Sequence, residues 1–371
     1  MPRDNLSIHL AERPTGEIIP GRTFTAKTTP APTPADLKDG EILVEVLYLS
    51  LDPSLRGQLN GNNNTSLPNL PPLCIEWQLT HLDRRSYVPP VQLNAIMNGA
   101  SASRVLASKS RLVSPGDFVY AAPGWTQYAI LREGTFEPAS QYPGLRQPQD
   151  MLSALGLTGV TAWYGMTQIG EPRPGETVVV SGAAGATGSV AGQIAKIRGA
   201  RVVGIAGSDD KCRWLVEELG FDVALNYKAD DFRRRLKEAT PKYIDVYFDN
   251  VGGEILDLCL ARANPHARFV ECGVISQYNT STPTGLKNIG QVVTMRIRMQ
   301  GFIIFDQREH FPRARKELGA WLDEGRLKKT ETIIKGGLEK AEQALVDLYR
   351  GINTGKLMVE VKDPNETPSK L

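Results

Sequence analysis

The run ValSerGlyAlaAlaGlyAlaThrGlySer at 180–189 is the part of this sequence best suited to hold a ligand. It sets Gly182, Gly185 and Gly188 between a β-strand pattern at 177–181 and an amphipathic helix pattern. In such a turn the backbone N–H groups approach phosphate oxygens closely, and the helix N-terminus adds partial positive charge. The order of strand, glycine turn and helix therefore predicts a bound dinucleotide. A sharp turn without a ligand is the alternative that this motif alone leaves open.

The end of the second strand of this unit indicates which dinucleotide would fit. An Asp or Glu at that place binds the ribose 2′-hydroxyl of NAD, but here the strand ends with a glycine and Ser208. Lys211 follows one helical turn later and would attract a 2′-phosphate. The sequence therefore favours NADP, with Tyr227 after the third strand as a second phosphate contact. Asp209 and Asp210 argue against this, and Ser208 could be only a helix cap with Lys211 a solvated charge.

Small and polar residues follow the next two strands, in the segments 248–253 and 271–279. In open α/β sheets the ligand lies over the carboxyl ends of the strands, so both segments are expected to face it. Asn250 could hold the cofactor, and the hydroxyl of Tyr278 could donate a hydrogen bond to a developing oxyanion. Tyr278 could equally be an ordinary tyrosine of a polar loop.

Neither a metal site nor a serine nucleophile is indicated. The four histidines show no metal-ligand spacing: His9, His81, His266 and His310. The four cysteines contain no CxxC pair, which argues against a disulfide framework and a structural zinc site: Cys74, Cys212, Cys259 and Cys272. A GlyXxxSerXxxGly nucleophile elbow is also missing from the sequence. We therefore expect no metal ligand in this chain and a reducing compartment.

Regular alternation of strand and helix patterns begins at about residue 149 and continues to about residue 330. Such alternation predicts a doubly wound parallel sheet with right-handed crossovers. Residues 1–148 show short β patterns between prolines and glycines, which predicts a mainly β domain. Within it, residues 61–85 are expected to form a long surface loop. Residues 331–371 carry two more β patterns around one helix and are expected to return to the first domain.

Composition favours a globular protein with a small-molecule partner. The 371 residues suggest about two domains, and 41% of them are hydrophobic. The formal net charge of +2, without a long like-charged block, gives no sign of a nucleic-acid or membrane surface. The N-terminus has no apolar signal region, and no apolar run reaches the roughly 18 residues of a membrane span. We expect a protein that is neither secreted by that route nor membrane-spanning.

The last three residues, Ser369, Lys370 and Leu371, form the tripeptide that peroxisomal import receptors bind. The preceding AspProAsnGluThrPro is polar and proline-rich, so an extended, accessible segment is expected. The sequence therefore predicts a peroxisomal protein of a eukaryote. A chance match, with a cytoplasmic location, is the alternative.

Motifs along nearly the whole chain resemble those of the zinc-independent medium-chain dehydrogenase/reductases of the leukotriene-dehydrogenase and prostaglandin-reductase type, which include NADPH-dependent alkenal double-bond reductases. The motifs appear in the family's order: LeuSerLeuAspPro at 49–53, SerTyrValProPro at 86–90, GlyTrpThrGlnTyrAla at 124–129, LeuThrGlyValThrAlaTrpTyrGly at 157–165, the glycine turn, AlaGlySerAspAspLys, AsnTyrLys, PheAspAsnValGlyGly, SerGlnTyrAsn, ArgMetGlnGlyPhe at 298–302 and AsnThrGlyLys at 353–356. Their number and order make the resemblance specific.

The resemblance implies an α/β protein with a GroES-like β domain, at 1–148 and 331–371, and a Rossmann NADPH-binding domain at 149–330. It also implies the residues around the cofactor: Thr161, Ala184, Gly185, Ala186, Thr187, Ser208, Lys211, Tyr227, Asn250, Cys272, Gly273, Phe302 and Asn353. Zinc-binding relatives carry a Cys and a GlyHisGlu motif that this chain lacks. Reductases of the family deliver a hydride from NADPH to the β-carbon of an α,β-unsaturated ketone or aldehyde. The tyrosine matched by Tyr278 stabilises the resulting enolate.

Two departures from the family concern the substrate. The usual AspProTyrMetArg is AspProSerLeuArg at 52–56, so Ser54 replaces a tyrosine of the substrate pocket. The loop at 61–85 also exceeds the usual length. An enoyl-thioester reductase, an alcohol dehydrogenase of the same superfamily and a non-catalytic NADPH-binding protein therefore remain alternatives. A homodimer formed through an edge strand at 298–305 is expected from the resemblance.

Overall fold

The computed structural model describes residues 3–60, 88–280 and 285–367. The strands are β1 (Asp4–Leu10), β2 (Phe24–Pro30), β3 (Glu41–Ser50), β4 (Ser101–Ser108), β5 (Phe118–Ala121), β6 (Tyr128–Arg132), β7 (Phe136–Pro138), β8 (Thr177–Val180), β9 (Arg201–Ala206), β10 (Val223–Asn226), β11 (Ile244–Asp249), β12 (Ala263–Glu271), β13 (Arg298–Gly301), β14 (Glu331–Ile334) and β15 (Lys356–Glu360). The helices are α1 (Leu55–Gln58), α2 (Leu157–Tyr164), α3 (Ala186–Ile197), α4 (Asp209–Glu217), α5 (Phe232–Ala239), α6 (Gly253–Leu260), α7 (Gln291–Thr294), α8 (Phe311–Asp323) and α9 (Ala341–Tyr349). Within those ranges, none of the helices has the length and apolar character of a membrane span.

One sheet is six-stranded and parallel, in the order β10-β9-β8-β11-β12-β13. Its central strand β8 reads ThrValValVal and is fully buried, as expected for a parallel strand covered by helices on both faces. The strand order reverses direction between β8 and β11, which makes this a Rossmann sheet. The prediction of a doubly wound domain is therefore confirmed. A ligand crevice is expected where the carboxyl ends of these two strands diverge.

The last strand of this sheet is shorter than the β pattern at 298–305 suggests. Strand β13 ends at Gly301, and the chain turns so that Phe302 packs on Tyr164, with ring centroids 5.4 Å apart. Helix α8 follows, and the sequence analysis missed it. A proline at its first turn is compatible with helix initiation, and residues such as Ala314 and Leu318 bury one face of it.

The other large sheet has the order β14-β15-β3-β4-β5-β7, with β6 also paired to β3. Its centre is β3, in which nine of ten residues are buried. Strand β15 pairs antiparallel with β3, with Met358 opposite Ser50. The two β patterns after residue 330 are thus the strands β14 and β15, joined to the sheet of the N-terminal residues. This sheet forms the GroES-like part of the fold.

A buried ion pair connects α8 with the GroES-like sheet. The Arg315 guanidinium donates to the Glu137 carboxylate at 2.6 Å and to the Tyr142 hydroxyl at 3.0 Å. It also lies 3.9 Å from the centroid of the Tyr142 ring. Because Arg315 is 4% exposed, its charge depends on these partners rather than on water.

Candidate functional site

A cleft with a volume of about 970 Å³ lies between the two sheets, over the carboxyl ends of β8, β9, β11 and β12. Nearly all residues singled out from the sequence line it: Ser54, Thr161, Ala184, Gly185, Ala186, Thr187, Lys211, Tyr227, Asn250, Cys272, Gly273, Tyr278, Phe302 and Asn353. The exception is Ser208, whose neighbour Gly207 lines the cleft instead. The fold therefore brings these residues into one cavity although they are spread over 300 positions of the chain.

The glycine-rich turn forms the inner wall of the cleft. Gly182 has φ of 56°, in the left-handed region that favours glycine, and its carbonyl accepts a bond from the Gly185 amide at 3.0 Å. A Cβ on Gly188 would lie 2.4 Å from the same carbonyl oxygen, so only glycine lets α3 start this close to the turn. The first turn of α3 therefore borders the cleft with N–H groups that have no partner within the helix, as phosphate binding requires.

The start of α4 shows that Ser208 and Lys211 have different functions. The Ser208 hydroxyl accepts a hydrogen bond from the Lys211 amide at 3.4 Å, so Ser208 is a helix N-cap. Lys211 is more than a solvated charge, because its Nζ donates to the Gly351 carbonyl at 2.5 Å. Burial lowers the pKa of Lys211, and the nearby charge of Lys228 lowers it further. The ammonium thus lies half-buried at the adenosine end of the cleft.

A second cation lies at this end, and the sequence analysis did not single it out. Lys228 lines the cleft beside Tyr227, with its Nζ 5.8 Å from the centroid of the tyrosine ring. Both side chains close over Gly207, where an added Cβ would lie 3.2 Å from the Tyr227 ring. The motif AsnTyrLys at 226–228 carries both residues, so the lysine could have been noticed from the sequence.

The two acidic residues that argued against NADP are engaged elsewhere. The Asp209 carboxylate accepts a bond from the Asn226 amide at 3.0 Å. Asp210 forms an ion pair with Arg213 on the exposed side of α4. Two lysines and a tyrosine hydroxyl therefore surround the place of the ribose 2′ position, which fits a 2′-phosphate better than a free 2′-hydroxyl.

Tyr278 follows a short 3-10 helix, Ile275–Gln277, after β12. Its hydroxyl accepts a bond from the Val274 amide at 3.4 Å and lies 3.3 Å from where a Cβ on Gly273 would be. Burial raises the pKa of Tyr278 above its ordinary value, so the hydroxyl keeps its proton at neutral pH. Tyr278 is therefore a hydrogen-bond donor in the wall of the cleft.

Asn250 and Cys272 lie at the ends of β11 and β12. The Asn250 Nδ2 donates to the Ser181 carbonyl at 2.7 Å, and the Asn250 amide donates to the Ser181 hydroxyl at 2.8 Å. The Asn250 side-chain donor thus joins the ends of β8 and β11. Burial raises the pKa of the Cys272 thiol to about 12, so Cys272 presents a neutral thiol.

The segment before β15 forms the opposite wall. The Gly355 amide donates to the Ala184 carbonyl at 2.8 Å, which places this segment directly against the glycine-rich turn. The Asn353 Nδ2 donates to the Gly355 carbonyl at 2.8 Å and so stiffens the loop. Below it, the Lys356 ammonium donates to the Asp52 carboxylate at 2.6 Å. No local sequence pattern predicts this ion pair, because its two partners are 304 residues apart in the chain.

The other end of the cleft is suited to a substrate. Ser54, before α1, lines it together with Tyr120 and Tyr349. The Tyr349 hydroxyl donates to the Pro53 carbonyl at 3.0 Å, and burial raises its pKa. A tyrosine of α9 therefore brings a ring and a hydroxyl next to the position where Ser54 replaces the family tyrosine, which the sequence analysis did not foresee.

Two sequence predictions fall outside the described residues: the loop at 61–85 and the tripeptide Ser369, Lys370 and Leu371. In the described ranges, no three His, Cys, Asp or Glu side chains group together as metal ligands would.

Comparisons with known proteins identify the family. Residues 186–320 match the model described as zinc-binding dehydrogenase, and residues 7–72 and 78–138 match the N-terminal domain of oxidoreductase. The NADPH-dependent curcumin reductase of Escherichia coli is 37% identical over 95% of this chain and 95% of its own length. The NADP(+)-dependent 2-alkenal reductase of Nicotiana tabacum is 35% identical over 86% and 87%.

A solved structure gives the same result. CurA from Vibrio vulnificus, in complex with NADPH, is 36% identical and aligns with a TM-score of 0.83 over 96% of this chain and 99% of its own. The agreement extends over both domains, so it concerns the whole fold rather than one common sheet. The chain belongs to the zinc-independent medium-chain dehydrogenase/reductases of the prostaglandin-reductase and alkenal-reductase type, and it is an oxidoreductase.

Proposed function

We propose that this protein binds NADPH in the cleft and reduces the C=C bond of an α,β-unsaturated ketone or aldehyde. The observation that carries the proposal is the position of the Tyr278 hydroxyl, a hydrogen-bond donor in the same cavity as the glycine-rich turn. Relatives over 35% identical in sequence are named curcumin reductase and prostaglandin reductase, and both names fit a conjugated substrate.

Different residues of the cleft wall bind different parts of NADPH. The N–H groups at the start of α3 hold the pyrophosphate, because a helix N-terminus favours anions. Lys211 and Lys228, with the Tyr227 hydroxyl, hold the 2′-phosphate through charge-assisted hydrogen bonds. Asn353 and the segment before β15 close the nicotinamide end against the turn.

Bound NADPH would supply a hydride for the β-carbon of the substrate. Negative charge then accumulates on the substrate's carbonyl oxygen until the α-carbon takes up a proton from solvent and the carbonyl re-forms. The Tyr278 hydroxyl donates a hydrogen bond to that oxygen while it carries the charge. A tyrosine hydroxyl is protonated at neutral pH and burial raises the pKa of Tyr278 further, so the donor is in place before the charge develops. A preorganised donor of this kind lowers the barrier by about 3–4 kcal/mol, which raises the rate roughly 10²–10³-fold.

The test is NADPH oxidation over a panel of enones and enals, with wild type and Tyr278→Phe. We expect turnover by the wild type and a loss of about 10²-fold or more in kcat for the variant, with the Kd for NADPH unchanged within about twofold. Tyr243→Phe is the matched control, because Tyr243 is 47% exposed and lies outside the cleft lining. Tight NADPH binding without turnover of any enone would refute the proposed reaction, and an unimpaired Tyr278→Phe would refute the assigned hydroxyl.

Product analysis separates this reaction from an alcohol dehydrogenase. With NADPH that carries deuterium in place of the transferred hydrogen, C=C reduction places the label on the carbon β to an intact carbonyl. Reduction of the carbonyl places it on the carbinol carbon. Mass spectrometry of fragments distinguishes the two products, and label on the carbinol carbon alone would contradict the proposal.

We also propose that two copies pair through the edge of the Rossmann sheet. In the described part of the chain, β13 is one of the two edge strands of this sheet and pairs with β12 on one side. Just before it in the chain, the apolar side chains of Ile289 and Val293 are 51% and 77% exposed and so are available to a partner. Light scattering should give about twice the 40.6 kDa chain mass for the wild type and a shift to monomer for Val293→Glu. A monomeric wild type would rule this out.

A further inference from the structure

Arg56 of α1 is a buried cation that the proposed reaction does not use. It is 4% exposed, and burial lowers its pKa. Its Nε donates to the Asn279 side-chain oxygen at 2.8 Å, its Nη1 to Asn60 Oδ1 at 2.5 Å and its Nη2 to the Gly16 carbonyl at 2.9 Å. In the described part of the chain, all its hydrogen-bond partners are neutral amide or carbonyl oxygens. Because an unpaired buried charge is costly, an arginine held in this way needs a reason.

The Asn279 contact connects the two parts of the fold. Arg56 lies on α1, two residues after Ser54, whereas Asn279 directly follows Tyr278 in the loop after β12. The segment between β12 and Tyr278 is bonded to the loop after β11, within the Rossmann unit: the Ile275 and Ser276 amides donate to the carbonyls of Asn250 and Val251. The bond to Arg56 therefore anchors the far side of the Tyr278 loop to the wall that would bind the substrate.

Arg56 also lies next to the second hydroxyl of this wall. Tyr349 donates to the Pro53 carbonyl, directly before α1. Burial raises the pKa of Tyr349, and the charge of Arg56 lowers it. Tyr278 raises the same pKa. The guanidinium thus lies close to Tyr349, and it is joined to the Tyr278 loop through Asn279.

We propose that Arg56 is a positioning residue: through Asn279 it fixes the Tyr278 hydroxyl relative to the substrate wall carried by α1. The inference rests on the proposed function. An arginine suits this purpose because its planar fork presents separate donors to three chain segments at once, which the single ammonium of a lysine does not. A displacement of the hydroxyl by about 1 Å is enough to lower the rate roughly 10²-fold.

The experiment compares Arg56→Lys and Asn279→Ala with a matched control, Arg104→Lys. Arg104 is also a buried arginine, 6% exposed, that donates to backbone carbonyls and to Glu45, but it lies outside the cleft lining. We expect both cleft variants to lose about 10–100-fold in kcat while the Kd for NADPH stays within about twofold. Arg104→Lys should lower the Tm as much as the two cleft variants do, but it should leave kcat unchanged. Equal kcat losses in all three variants would show that Arg56 is only a structural residue and would overturn the inference.

A double-mutant cycle tests whether Arg56 acts through Tyr278. In the Tyr278→Phe background there is no hydroxyl to position, so Arg56→Lys should then cost less than about threefold in kcat. A full loss in both backgrounds would overturn the inference. If Arg56→Lys does not fold, Asn279→Ala takes its place in the cycle, because Asn279 is only half-buried.

Amide hydrogen exchange gives a readout that needs no turnover. Without the Arg56–Asn279 bond, the amides of residues 273–280 should exchange at least several-fold faster in both cleft variants and not in Arg104→Lys. Unchanged exchange there would overturn the inference even if the wild type reduces enones. Faster exchange in both cleft variants, together with a wild type that reduces no enone, would instead leave the bond's positioning of the loop intact and refute the proposed function alone.

Discussion

Removing the ammonium of Lys211 should cost NADPH affinity and spare NADH affinity. The side chain is half-buried, Lys228 adds a second positive charge near it, and the two neighbouring aspartates are bonded to other residues. A hydrogen bond to a charged group contributes about 1.5–3 kcal/mol, so Lys211→Ala should raise the Kd for NADPH roughly 10- to 150-fold. Because Lys228 is exposed, Lys228→Ala should cost only about 1 kcal/mol, or roughly fivefold.

The assay is calorimetric or fluorescence titration of both dinucleotides at about 50 and about 200 mM salt. NADH carries no 2′-phosphate, so its Kd should change by less than about threefold in either variant. Of the affinities measured, only that of the wild type for NADPH should fall steeply with salt. Lys316→Ala, on the exposed side of α8, is the control. If Lys211→Ala weakened NADH and NADPH by the same factor, Lys211 would act through its bond to Gly351 rather than on a phosphate, and the reasoning would be refuted.

Three further predictions concern the scaffold. Burial and the charge of Asp249 raise the pKa of Glu271 from 4.5 to about 8, so the folded protein keeps a proton that the unfolded chain loses and stability falls as pH rises through this window. Glu271→Gln should flatten that fall, and an unchanged slope of Tm against pH would contradict the assignment. Gly188→Ala, whose Cβ would meet backbone at 2.4 Å, should lose about 1–3 kcal/mol of stability as well as NADPH affinity, whereas Gly290→Ala, with open space around it, should do neither. Arg315→Met removes the buried guanidinium and leaves the partly exposed Glu137 carboxylate with the bond from the Tyr142 hydroxyl, so it should cost about 1–3 kcal/mol in urea unfolding; a loss below about 0.5 kcal/mol would contradict this.

The parts of the site that the sequence predicted are those formed by neighbouring residues. The turn from β8 to α3 needs small residues at fixed spacing, so its glycines are recognisable without a structure. Tyr278 and Asn250 follow strands, and the carboxyl ends of parallel strands meet at one edge of a sheet. Both were therefore placed in the cleft from local patterns alone.

The residues that were missed depend on distant partners. Tyr349 and Lys356 enter the cleft because β15 pairs with β3, a long-range contact that no local periodicity encodes. Arg56 looks like an ordinary charged helix residue until Gly16 and Asn279 surround it. The same holds for the end of β13, where Phe302 leaves the strand pattern to pack on another helix.

The pairing of β15 with β3 has a consequence for the synthesis of this protein. A ribosome completes β3 and its apolar side chains early, but the strand that covers its edge and supplies Lys356 is translated some 300 residues later. The Rossmann unit lies wholly between them and can fold first. The nascent N-terminal strands must therefore stay unaggregated throughout elongation, which makes them the segment for which a chaperone would matter most, and the cleft is completed only as translation ends.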